Sequence, residues 1–209
     1  ILSSFALRIF GNSYTVAYLS NHIFNIITIL SIFKLGSILN NRNTGLWASL
    51  IFTFSPFIVS QRTDYLIDLS LTSVCTLFIL SLTLYFLDTA KVSFYALISG
   101  LILGLIFLTK PTGICIFFIP LVITFYKKIL NKNNEKFYLI SEIVLFFLAF
   151  YLVINPWFSR HWLTIISSTV NAFSWGIKYQ EGLDLNSIKG WFYYLYNIPN
   201  VIGLSNFLI

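Results

Sequence analysis

Long apolar runs separated by short polar connectors dominate the order of residues along this chain. Six runs come close to, or reach, the roughly 20 residues that a helix needs to cross a bilayer core. These runs are Tyr14–Leu39, Gly45–Ser60, Leu66–Leu87, Ser93–Thr109, Thr112–Leu130 and Phe137–Trp157. They are too long and too uniformly apolar for the alternating strands of a membrane barrel. The pattern therefore predicts an all-α fold, a polytopic transmembrane helix bundle with about six complete spans.

The connectors divide the chain into three predicted regions. Connectors inside residues 1–157 are short, as in NNRNT at Asn40–Thr44, so consecutive helices are expected to be antiparallel neighbours in one transmembrane bundle. Residues 158–195 mix glycines with aromatic and polar residues, which is typical of an extracytoplasmic loop that partly lies along the membrane surface. Residues 196–209 are apolar and are interpreted as the start of a seventh span, so the chain is expected to be a fragment.

The composition supports membrane integration and argues against a soluble domain. Only 10% of the residues are charged and 57% are hydrophobic, whereas a soluble domain is about 25% charged. The formal net charge is +6, and the basic residues lie mainly in short loops between apolar runs. In such loops they set the orientation of the protein in the membrane and contact lipid headgroups rather than nucleic acid.

The basic residues also predict an orientation. One side carries seven of them, Lys34, Arg42, Lys91, Lys127, Lys128, Lys132 and Lys136. The other side carries Arg8, Arg62, Lys110 and Arg160, with Lys178 and Lys189 deep in the long connector. The positive-inside rule places the richer side in the cytoplasm. We therefore expect an integral, multi-pass protein, most simply of a bacterial inner or plasma membrane, with residues 158–195 facing the periplasm or outside.

With this topology, the unusual ionisable side chains meet at one outer surface. They are Arg62, Asp64, Asp68, Lys110, Arg160 and His161. Asp64 and Asp68 are four residues apart and share a helix face if the third span begins before them. Asp68 would then lie about one turn inside the interface, which is costly for a carboxylate without a partner. A cation-rich surface with a semi-buried carboxylate indicates a site for an anion such as a lipid phosphate.

Each of these side chains has a simpler interpretation when it is taken alone. Arg62 and Arg160 are compatible with headgroup binding, and Lys110 with an ammonium that extends to water. Asp64 is compatible with a solvated loop acid, Asp68 with an acid that stabilises a helix start, and His161 with an interfacial side chain. Near the opposite membrane surface, Glu142 is expected to reach water or Lys136.

Four stretches together resemble one known enzyme class. They are FGNS at Phe10–Ser13, LWASLIFTFSPFIVSQRTDYLID at Leu46–Asp68, GLILGLIFLTKPTG at Gly100–Gly113 and NPWFSR at Asn155–Arg160. Their order is similar to that in GT-C class membrane glycosyltransferases that use polyprenyl-phosphate sugars. The closest branches are the protein O-mannosyltransferases and the lipid A aminoarabinose transferases.

The resemblance implies a function and assigns roles to particular residues. It implies transfer of a sugar from a polyprenyl or dolichyl phosphate to a protein, lipid or glycan acceptor on the extracytoplasmic side. Lys110 and Arg62 match candidate partners of the donor phosphate, and Asp68 matches a supporting catalytic acid. The main catalytic base is expected upstream of Ile1, so the fragment alone is expected to be inactive. Asp64, Arg160 and His161 are possible additional members of the site.

Two other classes of function remain open from the residues. One is a multi-span transporter or flippase for a lipid-linked or anionic solute, although no internal repeat or matched pair of broken helices is evident. The other is a non-catalytic membrane subunit. His22 and His161 have no metal-ligand spacing, so no metal site is assigned, and dependence on a divalent metal stays undetermined. The expected partners are membrane lipids, the sugar donor and its acceptor, and no nucleic acid.

Overall fold

A computed structural model gives the fold of residues 8–11, 13–61, 68–87, 92–111, 113–131 and 136–179, with Ile188 and Phe192. Seven helices lie within this described part of the chain. They are α1 (Tyr14–Leu39), α2 (Arg42–Phe54), α3 (Pro56–Gln61), α4 (Asp68–Leu87), α5 (Val92–Thr109), α6 (Gly113–Asn131) and α7 (Lys136–Tyr179). The predicted all-α fold is confirmed.

Local capping explains where the first helices begin. The Ser13 hydroxyl accepts a hydrogen bond from the Val16 backbone N–H at 3.3 Å and so caps α1. The Asn41 side-chain oxygen accepts from the Thr44 N–H at 2.9 Å and caps α2 in the same way. Side-chain acceptors at these positions satisfy backbone donors that a helix start leaves open.

The predicted count of six complete spans was too high for the described residues. Four helical stretches there are long and apolar enough to cross a membrane: Leu19–Leu39, Asp68–Leu87, Val92–Thr109 and Leu139–Thr164. The predicted run Gly45–Ser60 instead breaks between α2 and α3, because Pro56 has no N–H and its ring disfavours a continued helix. The 13 residues of α2 extend only about 20 Å, which is short of a bilayer core.

The α6 helix corresponds to the predicted run Thr112–Leu130 but is not among these four stretches. Pro120 lies inside it, and Lys127 and Lys128 come near its end, so its uninterrupted apolar length is shorter than its 19 residues.

The chain forms two compact units. The first contains Ile1–Phe54 and Ile58–Ile154, and the second contains Ser55–Phe57 and Asn155–Ile209. The core of the first unit is built from side chains of four helices, α4 to α7. Its buried members are Phe78, Leu82, Ile102, Leu103, Ile106, Phe117 and Phe146. Phe78 and Phe117 meet edge to face with ring centroids 4.9 Å apart, a favourable aromatic geometry.

Glycines allow two pairs of helices in the first unit to approach closely. A Cβ atom on Gly36 of α1 would lie 2.7 Å from the Gly45 Cα of α2. On α5, a Cβ on Gly100 would collide with the Phe146 carbonyl oxygen of α7, and one on Gly104 would lie 2.7 Å from the Val153 Cβ. Small residues four apart are a common contact surface between membrane helices. Gly100 and Gly104 therefore form the α5 side of a tight crossing.

The described part of the second unit is the continuation of α7 beyond Ile154. The predicted span Phe137–Trp157 was expected to end before a loop, whereas α7 continues through Pro156 to Tyr179. Apolar side chains such as Phe158, Trp162 and Ile166 are exposed along this continuation. Residues 158–179 are therefore helical.

Candidate functional site

The chain turns sharply where α5 ends, and this turn positions Lys110. The Lys110 N–H donates to the Ile106 carbonyl at 2.9 Å, which completes the last turn of α5. Pro111 follows, and the Gly113 N–H then donates back to the Lys110 carbonyl at 2.9 Å as α6 begins. Because proline cannot continue the hydrogen-bond pattern of α5, the lysine is held at the corner between two helices.

Asp68 is the first residue of α4, and its carboxylate lies beside this corner. The distance from Lys110 Nζ to Asp68 Oδ1 is 3.5 Å. The acid lies at the positive end of α4 and the lysine follows the negative end of α5, so both charges are favourable to their own helices. The helix termini thus support the ion pair from both sides.

The exposure of this pair decides what it can do. The side chains of Lys110 and Asp68 are 50% and 53% exposed. Half-exposed ion pairs contribute little to stability, typically about 0–1 kcal/mol. The ammonium has three N–H donors, and its half-exposed position leaves it accessible to an anionic group from outside the helices. The geometry suits an anion-binding lysine that a neighbouring carboxylate orients.

The remaining predicted site residues fall into two groups. Arg62 and Asp64 lie outside the described residues. Arg160 and His161 lie on α7 in the second unit, and both are exposed. The His161 ring lies 5.3 Å from the Trp157 ring, centroid to centroid, with the planes tilted by 33°. The structure therefore brings Asp68 and Lys110 together, and the functional roles of all six residues stay predictions.

Sequence reasoning missed a second charged cluster, which joins three helices of the first unit. Glu142 on α7 accepts a hydrogen bond at Oε2 from the Tyr85 hydroxyl of α4 at 2.9 Å. Lys128 on α6 lies 3.2 Å from the same oxygen, and its Nζ is 3.3 Å from the centre of the Tyr85 ring. A cation over an aromatic face is attracted by the ring electrons. We call Tyr85, Lys128 and Glu142 the buried triad.

The buried triad corrects the expectation that Glu142 reaches water, while the Lys136 side chain, its other expected partner, lies outside the described residues. The Glu142 side chain is 4% exposed and that of Lys128 is 9% exposed, so the carboxylate does not reach water. A sequence signal for this pair exists. Lys128 and Glu142 carry opposite charges inside two consecutive apolar runs, on either side of the short connector Asn131–Lys136. An antiparallel hairpin of those runs brings such charges to similar depth.

The two charged groups lie at opposite ends of α4. Asp68 begins this helix and Tyr85 lies 17 residues later, which is a separation of about 25 Å along the axis. Of these two groups, only the Asp68–Lys110 pair is substantially exposed. Among the described residues, no group of three or more His, Cys, Asp or Glu side chains is arranged to hold a metal ion.

Comparison with known proteins gives one match. A family model described as dolichyl-phosphate-mannose-protein mannosyltransferase matches residues 2–159, roughly three quarters of the chain. No curated protein and no solved structure matches the chain. The matched range includes α1 to α6 and the first part of α7, and therefore both Asp68 and Lys110.

Proposed function

Because the chain belongs to the dolichyl-phosphate-mannose-protein mannosyltransferase family, we propose that it takes part in transferring a sugar from a polyprenyl-phosphate donor to a protein, lipid or glycan acceptor. This family consists of membrane glycosyltransferases of the GT-C type, so the family match confirms the resemblance found in the sequence. Four membrane-capable helices agree with an integral membrane protein. The donor, the acceptor and the side of the membrane are parts of the proposal.

The ion pair of Lys110 and Asp68 is the observation that carries the proposal. Its half-exposed ammonium lies at the end of a membrane-capable helix, the depth at which a lipid phosphate resides. Lysine is a common partner of phosphate groups. We assign Lys110 to the donor phosphate, with Arg62 as a second phosphate partner.

The proposed reaction exchanges one bond at the anomeric carbon of the sugar. The acceptor oxygen or nitrogen forms a bond to this carbon as the bond from the carbon to the phosphate oxygen breaks. The phosphate leaves with the electron pair, and inversion follows from attack opposite the leaving group. Negative charge grows on the phosphate during this step, so a fixed cation beside it stabilises the transition state.

Asp68 is proposed to support this cation rather than to act on the sugar directly. Its carboxylate, 3.5 Å from the ammonium of Lys110, orients that group before the donor binds. The acceptor proton passes to a catalytic base, which the family resemblance places upstream of Ile1. Asp64 is proposed as a further member of this extracytoplasmic site.

The test is a set of Lys110 variants in the full-length enzyme with a polyprenyl-phosphate sugar. We expect Lys110→Ala to lower kcat/KM by about 100-fold, as loss of one charge-stabilising group does in other enzymes. Lys110→Arg should recover part of the activity because it keeps the charge. Lys34→Ala removes an exposed lysine from α1 and serves as the matched control. Equal turnover of Lys110→Ala and Lys34→Ala would exclude the assigned role.

The same preparation separates transfer from transport. A flippase would move the lipid-linked sugar across a vesicle membrane without forming a new glycosidic bond. Release of free polyprenyl phosphate together with a glycosylated acceptor supports the proposed transferase. Translocation without either product supports the transporter instead.

A further inference from the structure

An apolar groove lies between α1, α4 and α6 in the half of the first unit away from Lys110. Its volume is about 430 Å³, within the usual range of ligand pockets. Residues of all three helices line it, including Leu39, Leu82, Phe86, Phe117, Ile123 and Lys127. Lys127 lies 14 residues after Gly113, the first residue of α6, which places the charged end of the groove about 21 Å along the helix axis from the corner that holds Lys110.

The groove is lined mainly by apolar side chains. Two threonines line it, but the Thr83 hydroxyl donates to the Ile79 carbonyl at 2.8 Å and the Thr124 hydroxyl donates to the Pro120 carbonyl at 2.7 Å. These hydroxyl donors are used within their own helices. Among the described lining residues, Lys127 alone carries a charge. The matching occupant is a hydrocarbon chain with an anionic group at one end.

The length of the groove matches the acyl chain of a lipid that occupies a single leaflet. From Phe117 to Lys127 the lining follows ten residues of α6, or about 15 Å. This is half of a hydrocarbon core of about 30 Å. The Lys127 side chain is exposed at the end of this path and makes no ion pair with any described residue. A lipid from the leaflet opposite Lys110 would place its phosphate there.

We propose that this groove binds one acyl chain of an anionic phospholipid, whose headgroup lies against Lys127. Four lysines fall within residues 127–136, and basic sites between membrane helices favour anionic headgroups. Lys128 belongs to the buried triad, so Lys127 provides the accessible charge at the groove itself. The donor lipid is a different molecule, because its phosphate is assigned to the opposite end of α4.

The experiment is native mass spectrometry of the full-length protein in detergent, with phosphatidylglycerol or phosphatidylcholine added at equal concentration. We expect one tightly retained phosphatidylglycerol and a preference for it over phosphatidylcholine. Lys127→Gln should lower that preference about fivefold, the effect of one basic residue near an anionic surface. Lys34→Gln removes another exposed lysine that does not line the groove and should leave the preference unchanged.

Two groove-filling variants test where the acyl chain lies. Thr83→Phe on α4 and Thr124→Phe on α6 should each abolish retention of both phospholipids. A photoactivatable phosphatidylglycerol should label residues 79–87 and 117–127 in the unmodified protein, which gives a result even if a variant does not fold. Labelling of other residues would overturn the proposal. So would an unchanged preference for phosphatidylglycerol in Lys127→Gln, or displacement of the lipid by stoichiometric polyprenyl phosphate.

Discussion

Lys128 and Lys110 show how burial gives the same residue type two different uses. Lys110 is half-exposed beside Asp68, while Lys128 is enclosed with Glu142 and the Tyr85 ring. A buried charge without its partner is strongly unfavourable, whereas an exposed one is readily hydrated. The accessible lysine is therefore suited to ligand binding, and the enclosed one to holding α4, α6 and α7 together.

The buried triad predicts strongly non-additive stability effects. Lys128→Met should destabilise the protein by about 3–5 kcal/mol, because it leaves the Glu142 carboxylate buried without its cation. The double variant Lys128→Met with Glu142→Leu should recover most of that loss, since neither charge remains. Thermal unfolding in detergent gives the comparison. Lys34→Met, which changes an exposed lysine outside both the triad and the groove, is the control and should unfold like the unmodified protein.

Similar loss of stability in the double variant and in Lys128→Met would mean that packing of the lysine stem, rather than charge balance, is what holds the three helices.

Asp68 gives a second prediction at the residue scale. Asp68→Asn removes the charge beside Lys110 while keeping the size of the side chain. As a positioning residue, Asp68 should affect donor binding through the orientation of Lys110, so KM for the donor should rise several-fold. A pair this exposed contributes at most about 1 kcal/mol, so the unfolding temperature should change little. Unchanged KM and kcat in steady-state assays would contradict the assigned role.

The sequence was informative about which charges are unusual, but less so about their partners. Lys110 and Asp68 are notable because each borders an apolar run, and topology alone places them on one surface. The expectation that Glu142 reaches water was wrong, because its short distance along the chain from a helix end suggested access to solvent. The contact of Glu142 with Lys128 could have been expected from the hairpin of the two apolar runs, whereas Tyr85 is 57 residues away in sequence and no local pattern reveals that contact.

At the scale of the helices, the crossing of α5 and α7 depends on the absence of side chains at Gly100 and Gly104. The neighbouring atom at Gly100 is a backbone carbonyl of α7, which cannot move away by a change of rotamer. The serine pair Ser81 and Ser99 adds a buried hydrogen bond of 3.0 Å between α4 and α5. Close backbone approach and isolated polar contacts are the usual forces between helices in lipid.

Gly100→Ala should therefore push α5 away from α7. We expect a loss of about 1–3 kcal/mol, the usual effect of an extra carbon in a filled interior, measured as a lower unfolding temperature in detergent. Leu105→Ala changes an exposed side chain on α5 and is the control. A stability of Gly100→Ala equal to that of the control would show that the crossing can widen without loss.

Most helices could be predicted from hydrophobic run length, and the exceptions have local physical causes. The predicted runs Tyr14–Leu39 and Leu66–Leu87 correspond closely to α1 and α4. The run Gly45–Ser60 failed as a single span because its apolar character continues across Pro56 while its backbone hydrogen bonding does not. The extension of α7 beyond Trp157 was missed because Pro156 and the mixed residues after it are typical of a loop.

At the scale of the molecule, the first unit has two chemically different ends. The end with Lys110 and Asp68 exposes a charged pair, while the opposite end contains the buried triad and the charged rim of the groove. Their separation of about 25 Å is close to a bilayer core. The basic residues of the connectors predict that the triad end is cytoplasmic. Sugar transfer and anionic lipid binding would then take place in opposite leaflets.

This orientation can be measured with single cysteines in a background in which Cys75 and Cys115 are changed to serine. Lys110→Cys should react with a membrane-impermeant maleimide added outside intact cells, because it lies at the proposed outer end. Asn40→Cys, in the exposed turn after α1, should react only after the membrane is opened.

Thr28→Cys is the control for these labelling experiments, because Thr28 is fully buried in α1 and should not react until the protein is unfolded. Labelling of Asn40→Cys but not of Lys110→Cys in intact cells would reverse the topology. The donor phosphate would then be recruited from the cytoplasmic leaflet. Equal labelling of both positions would show that these two turns do not lie on opposite membrane surfaces, contrary to what the shared groove of Leu39 and Lys127 indicates.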